Sequence, residues 1–265
     1  MTVAGEEPAL LGLAPVAPDR TVAYGPHPDQ IVDVYAPRAG GGGRADARGP
    51  LVVLLHGGFW RAAYDRRHLS PLAAELAGQG MPVALAEYRR VGAGGGAPQT
   101  FEDVTAAVGA AHAALARTAA DPGVVLAGHS AGGHLALLAA ARPGTPVTRV
   151  LAVAPVADLA RAHELGLSDG AVAELLGDAP GLAERLAAAD PVRHPPAGIP
   201  VTILHGTEDP EVPVELSRRY AARHPGTTEL RELPGVGHYA PVTPGSPSCH
   251  TLIGCLSRPH RPRST

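Results

Sequence analysis

The chain has 265 residues, 45% of them hydrophobic and 18% charged, which is enough apolar material for one sizeable core and too much for disorder. Its 22 basic residues, all arginine, stand against 25 acidic ones for a net charge of −3, which excludes a broad electrostatic footprint for nucleic acid or an anionic membrane. Without a lysine there is no Schiff-base chemistry, no lysine-anchored pyridoxal and no P-loop lysine.

Residues 1–18 are rich in Pro and Ala and read as a flexible arm. They lack the basic start and apolar run of a signal peptide, and no stretch of the chain approaches 18 apolar residues. A cytoplasmic protein with no membrane partner is expected. Strand-like runs follow at Thr21–Tyr24 and Ile31–Tyr35, then a glycine-rich loop over 37–50. Leu51–Leu55 is a continuous apolar run, the signature of a strand buried on both faces.

From there helices and strands alternate. Helix His68–Gln79, strand Val83–Tyr88, helix Thr100–Ala119, strand Val124–Ala127, helix Ala131–Ala141 and strand Val150–Val153 come in turn. Residues 158–197, with two short helical patterns and several prolines, break the rhythm and read as a small helical cap. Strand Val201–Leu204, helix Val214–Arg223, strand Glu229–Leu233 and helix Cys249–Leu256 complete it, the last capped by Ser248 and stopped by Pro259. Cys249 and Cys255 fall on its apolar face rather than forming a disulfide scaffold. The fold class is α/β: a mostly parallel central sheet in one domain over 19–258, helices on both faces, and a flexible tail at 259–265.

The sharpest chemical signal is Gly128-His-Ser130-Ala-Gly132, a G-x-S-x-G with a strand before it and a helix after it. Glycines there permit a sharp turn that lifts the Ser130 hydroxyl clear of the sheet. A serine nucleophile needs a base, and the base needs an orienting carboxylate. Asp209 follows strand Val201–Leu204 and His238 follows strand Glu229–Leu233, so both stand at carboxyl ends of strands, where open α/β sheets build sites. Glu208 and Asp158 are rival acids. His56-Gly57-Gly58-Phe59-Trp60 is a second glycine turn at a strand end; N–H groups near Gly58 and Phe59, with that of Ala131, can converge on an oxyanion. His129, Tyr239 and Trp60 are candidate substrate contacts, although a lone tryptophan is equally at home in a core. No metal-ligand spacing is present, and Gly92–Ala97 matches a dinucleotide loop only formally, because Pro98 follows at once.

From about residue 20 to 258 the chain resembles an α/β-hydrolase. His56-Gly-Gly-Phe-Trp60, Glu87-Tyr-Arg-Arg90, Phe101-Glu-Asp-Val104 and Gly128-His-Ser-Ala-Gly-Gly-His134 are similar to motifs of kynurenine formamidase and related esterases. The resemblance implies Ser130 as nucleophile, His238 as base, Asp209 as orienting acid, and no cofactor. The expected activity is hydrolysis of a small ester or formamide, with the insertion 158–197 setting access and acyl size and Phe59-Trp60 crowding the acyl chain. The alternatives are a silent ligand-binding module of the same fold, or an acyltransferase using the same triad. The oligomeric state is not legible.

Overall fold

The structure, a computed structural model, describes residues 2–38, 49–115, 123–177 and 180–257. Most of the expected glycine loop (39–48), the end of the predicted helix Thr100–Ala119 (116–119) and the tail (258–265) lie outside the described residues. Eight strands form one sheet: β1 (Arg20–Ala23), β2 (Ile31–Tyr35), β3 (Leu51–Leu55), β4 (Val83–Ala86), β5 (Val124–His129), β6 (Val147–Val153), β7 (Val201–Gly206) and β8 (Thr228–Leu233). Their order is β1-β2-β4-β3-β5-β6-β7-β8; β2 is antiparallel to β1 and β4, and all other pairings are parallel. The chain thus runs outward from β3 to β4 and then crosses back over β3 to β5. That reversal opens a crevice between the carboxyl ends of β3 and β5.

Every residue of β3 is buried, and alternate side chains feed two different cores. Leu51, Val53 and Leu55 join a cluster with α3 (Gln99–Leu115), α4 (Ala131–Ala140) and α8 (Glu215–Arg223). Val52 and Leu54 join the opposite cluster with α2 (Ser70–Gly78) and α9 (Pro247–Ser257). Burying one such aliphatic side chain stabilises by about 1.5–3 kcal/mol, so the two-sided sheet is the main source of cohesion.

Three expectations need correction. Residues 2–18 are not a loose arm: α1 (Glu6–Leu11) buries Glu6 and Leu10, and Val16 is held further on, its N–H donating to Ser70 Oγ (2.9 Å) and its carbonyl accepting from Tyr35 OH (2.9 Å). Six residues are too few to show a helical period. The insertion carries three helices rather than two, α5 (Leu159–Glu164), α6 (Leu167–Leu176) and α7 (Leu182–Ala189), tied to the body by an Arg61–Glu174 ion pair at 2.7 Å and by His134 Nε2–H donating to Ala189 O at 3.0 Å. Finally, α9 begins at Pro247, so Ser248 lies inside it. The hydroxyl that accepts a hydrogen bond from Cys249 N–H, at 2.9 Å, belongs to Ser246. Proline fits the first helical turn, where no N–H is needed, and this moves the start forward.

Both cysteines are buried. No helix among the described residues is long and apolar enough to cross a membrane. Ser246→Ala should cost about 1 kcal/mol of stability through loss of the helix cap, while Ser248→Ala should stay within about 0.5 kcal/mol of wild type. Urea denaturation of the two variants measures the difference.

Candidate active site

Ser130 sits between β5 and α4 with φ 56° and ψ −121°, a conformation that L-residues avoid. Such strain costs on the order of 1–3 kcal/mol and must be held by its surroundings. It is held by packing. A Cβ on Gly128 would lie 2.1 Å from Gly132 O, and one on Gly132 would lie 2.4 Å from the carbonyl oxygens of both Leu55 and His56. The Ser130 N–H donates to Val153 O (2.8 Å), and its carbonyl accepts from Gly133 and His134, which starts the helix.

Asp209 follows β7 and His238 follows β8, as their positions in the chain imply. His238 Nδ1–H donates to Asp209 Oδ2 at 2.6 Å, which leaves Nε2 as the basic nitrogen of the neutral ring. The Asp209 side chain is fully buried. Its other oxygen accepts from the N–H groups of Glu211 and Val212, each at 2.9 Å, while the buried His205 Nε2 lies 3.3 Å from the same Oδ2 that His238 meets. Burial pushes this carboxyl up, but hydrogen bonds from His205 and His238 outweigh it and hold it well below the usual carboxylate range. The rival acids are elsewhere. Asp158 caps α5, accepting from Arg161 N–H (2.9 Å), and pairs with Arg219 (2.5 Å); the side chain that His238 meets is that of Asp209, not of the neighbouring exposed Glu208.

The glycine turn after β3 is strained as well: Gly58, Phe59 and Trp60 have φ of 110°, 54° and 58°. A buried carboxylate holds the turn from beneath. Glu87 Oε1 accepts from His56 Nε2–H at 2.8 Å, and Oε2 accepts from Arg66 N–H at 3.0 Å. Tyr88 stacks on the His56 ring at 4.5 Å and donates its hydroxyl to His56 O at 2.8 Å. Arg89 forms a bidentate pair with Asp103 (2.8 and 2.7 Å), and Arg90 pairs with Asp29 at 3.0 Å and donates to Tyr64 O. The Glu87–Arg90 and Phe101–Val104 motifs are therefore struts for the turn rather than contacts to a substrate. Burial pushes the Glu87 carboxyl up, but the facing His56 and the nearby Arg90 bring it down to about 2.

A cavity of about 390 Å³, part of it open to solvent, brings these parts together. Its lining includes Gly58, Phe59, Ser130, His238, His129 and Tyr239. Ala131 is the first residue of α4, so its N–H has no acceptor within the helix. His129 is neutral, because burial and then the neighbouring His238 hold its pKa well below the ordinary imidazole value; its Nε2–H donates to His238 O at 3.0 Å. Two expectations fail here. Trp60 is 2% exposed, packs edge-on against His134 at 5.2 Å and belongs to the core, not to the lining. Among the described residues, none from 158–197 lines the cavity; the wall is completed by Tyr64 and His68 of the loop after β3, and by Glu7 and Leu11 of α1. Sequence reasoning missed these four because none lies in a motif. His68 is also neutral at pH 7, brought to about 4 by burial and by its neighbour His56.

A family model described as BD-FAE matches residues 32–223, a span that includes Ser130 and Asp209. The chain belongs to the BD-FAE family. Esterase LipC of Mycobacterium tuberculosis is 27% identical over 92% of this chain and 66% of its own length, and Esterase LipQ of the same organism is 29% identical over 82% and 56%. The chain thus spans between about half and two thirds of the length of these curated relatives. Among solved structures, a truncated carbohydrate esterase from gut microbiota superposes with a TM-score of 0.76 at 19% identity, covering 92% of this chain and 98% of that one. Esterase B of Lactobacillus rhamnosis gives 0.71 at 21%, covering 96% and 91%. These likenesses establish the α/β-hydrolase fold for this BD-FAE member.

The Glu87 carboxyl has a folded pKa of about 2 against an ordinary 4.5. Its stabilising contribution is therefore complete above about pH 5 and is lost as pH falls through 4.5 toward 2. Glu87→Gln should lower the melting temperature at pH 7, since removing one partner of a buried pair costs about 3–5 kcal/mol. It should also flatten the acid limb of a melting-temperature profile. A variant profile parallel to wild type below pH 5 would contradict the assignment.

Proposed function

We propose that this chain is a serine hydrolase that cleaves a small carboxylic ester through an acyl-enzyme. The observation that carries the reading is the 2.6 Å His238–Asp209 hydrogen bond, with His238 on the wall of the same cavity as a serine held in a strained strand-to-helix turn. Membership of the BD-FAE family and relatives named as esterases support it.

In this mechanism Ser130 Oγ attacks the ester carbonyl while His238 Nε2 takes its proton. Asp209 holds the ring in the Nδ1–H tautomer and stabilises the imidazolium that forms. The N–H groups of Gly58, Phe59 and Ala131 receive the oxyanion, each worth roughly 2.7–4 kcal/mol in the transition state. The imidazolium returns its proton to the leaving alcohol. Water, deprotonated by His238, then attacks the acyl-enzyme and releases the acid. His129 and Tyr239 flank the reacting groups. Phe59 lines the cavity directly after the oxyanion glycine and narrows the space for an acyl chain, which favours a short acyl group. The finer reading, cleavage of an N-formyl amide, rests on the similarity of the His56–Trp60 turn to that of kynurenine formamidases.

A fluorophosphonate should label wild type at Ser130, and Ser130→Ala or His238→Ala should reduce ester turnover by several orders of magnitude, each about as much as the other. Absence of label, with substrate still bound, would favour the silent binding module. Adding a competing alcohol separates the acyltransferase, which would divert the acyl group to a new ester.

Along a series of nitrophenyl esters, kcat/KM should fall from acetyl to octanoyl, with roughly 10–200-fold lost per one or two rejected methylenes. Phe59→Ala should flatten the fall, because Phe59 lines the cavity. Trp60→Ala should instead cost about 3–5 kcal/mol of stability as a core truncation. Turnover of N-formylkynurenine in the same assay decides the formamide reading. Preference for octanoyl over acetyl would exclude a short acyl site.

A further inference from the structure

We infer that Glu6, on the N-terminal helix α1, is a positioning residue for the catalytic base, an inference that rests on the serine-hydrolase reading. Its side chain does not line the cavity, so it acts through the loop that carries His238. Glu6 is 2% exposed. Its Oε1 accepts from Gly237 N–H at 2.8 Å, and its Oε2 accepts from Tyr239 N–H at 3.1 Å and Ala240 N–H at 2.9 Å. One carboxylate thus grips the backbone immediately before and immediately after His238. Charge-assisted bonds of this kind are roughly twice as strong as neutral ones, and three on one group fix a short loop in a single conformation.

The sequence of the loop fits this contact. A Cβ at Gly237 would lie 2.8 Å from Glu6 Oε2 and 2.8 Å from Val3 Cγ1, so a side chain there would displace the Glu6 carboxylate from the loop. The other restraints on His238 come from its far side: the Asp209 carboxylate on Nδ1 and the His129 ring on its carbonyl. Without Glu6, the N–H groups of Gly237, Tyr239 and Ala240 lose their acceptor, and the loop must shift to satisfy them. Glu7 and Leu11, four residues apart on the same helix, line the cavity wall, so the segment that sets the base also forms one side of the substrate site.

The test uses the full chain and two substitutions. In Glu6→Ala all three acceptor bonds are lost; in Glu6→Gln one oxygen remains and the amide opposes an N–H. A displacement of the base by about 1 Å costs about 100-fold in rate, so Glu6→Ala should lose about that factor in kcat with KM within about twofold, and Glu6→Gln should fall between it and wild type. The far-downfield proton resonance of His238 Nδ1–H should broaden or vanish in Glu6→Ala, while circular dichroism reports a folded chain. Folded variants with wild-type kcat and an unchanged resonance would overturn the inference. So would a loss confined to KM, or unfolding of both variants, which would make Glu6 a folding anchor only. Wild type is run first: failure to turn over ester or take up fluorophosphonate strikes the hydrolase reading itself, whereas an active wild type with indifferent Glu6 variants strikes only Glu6.

Discussion

Between helix α4 and the carboxyl ends of β3 and β5 there is no room for a methyl group, and the site is assembled on that contact. Gly132 lies against the carbonyl oxygens of Leu55 and His56, and Gly128 lies against Gly132 itself. Because the helix must start this close to the sheet, the chain has to turn within one residue, and that residue is Ser130, at φ 56°. The same contact sets the distance between the serine and the glycine turn that follows β3, since α4 rests on the last two residues before that turn. A side chain at either glycine would push apart two halves of the site that no hydrogen bond could pull back together.

Strain on the β3 side is held by charge. Among the described residues six non-glycine positions have positive φ, and Phe59, Trp60 and Ser130 account for half of them. Beneath the first two, His56 and Glu87 form a buried pair at 2.8 Å that Tyr88, Arg66 and Arg90 surround. Buried ion pairs add little net stability, because desolvation offsets attraction. What this one supplies is direction: it determines where the backbone of Gly57 and Gly58 points. The arginines that replace lysine throughout the chain suit the task, since a planar fork holds a carboxylate in a fixed orientation where an ammonium would not.

The other half of the site is built from opposite ends of the chain. His238 is restrained on one side by Asp209 and on the other by Glu6, whose bond to Gly237 spans 231 residues of sequence. The cavity wall follows the same division, with the loop after β3 facing α1. The three-helix insertion packs against α4 and the loop carrying Arg61 instead, through the buried His134–Ala189 hydrogen bond and an exposed Arg61–Glu174 ion pair that contributes little. Variation in substrate among chains of this architecture therefore has two separate places to arise here, the N-terminal helix and the Gly58–His68 loop.

Local chemistry made much of this legible in the sequence. Strand β3 stands where its continuous apolar run puts it, because a strand buried on both faces has little room for polar side chains along its length. Gly128, Ser130 and Gly132 were readable because the turn tolerates little else, and Asp209 and His238 because each follows directly on a strand. Trp60 was not, since a tryptophan beside a glycine turn can face the cavity or the core, and only the packing of His134 against it decides. Helix α1 was invisible for a related reason. It is too short to display a period, and its one buried charge finds its partners on a loop at the far end of the chain. A sequence displays what neighbouring residues do to one another; which distant backbone a carboxylate meets is decided by the tertiary structure alone.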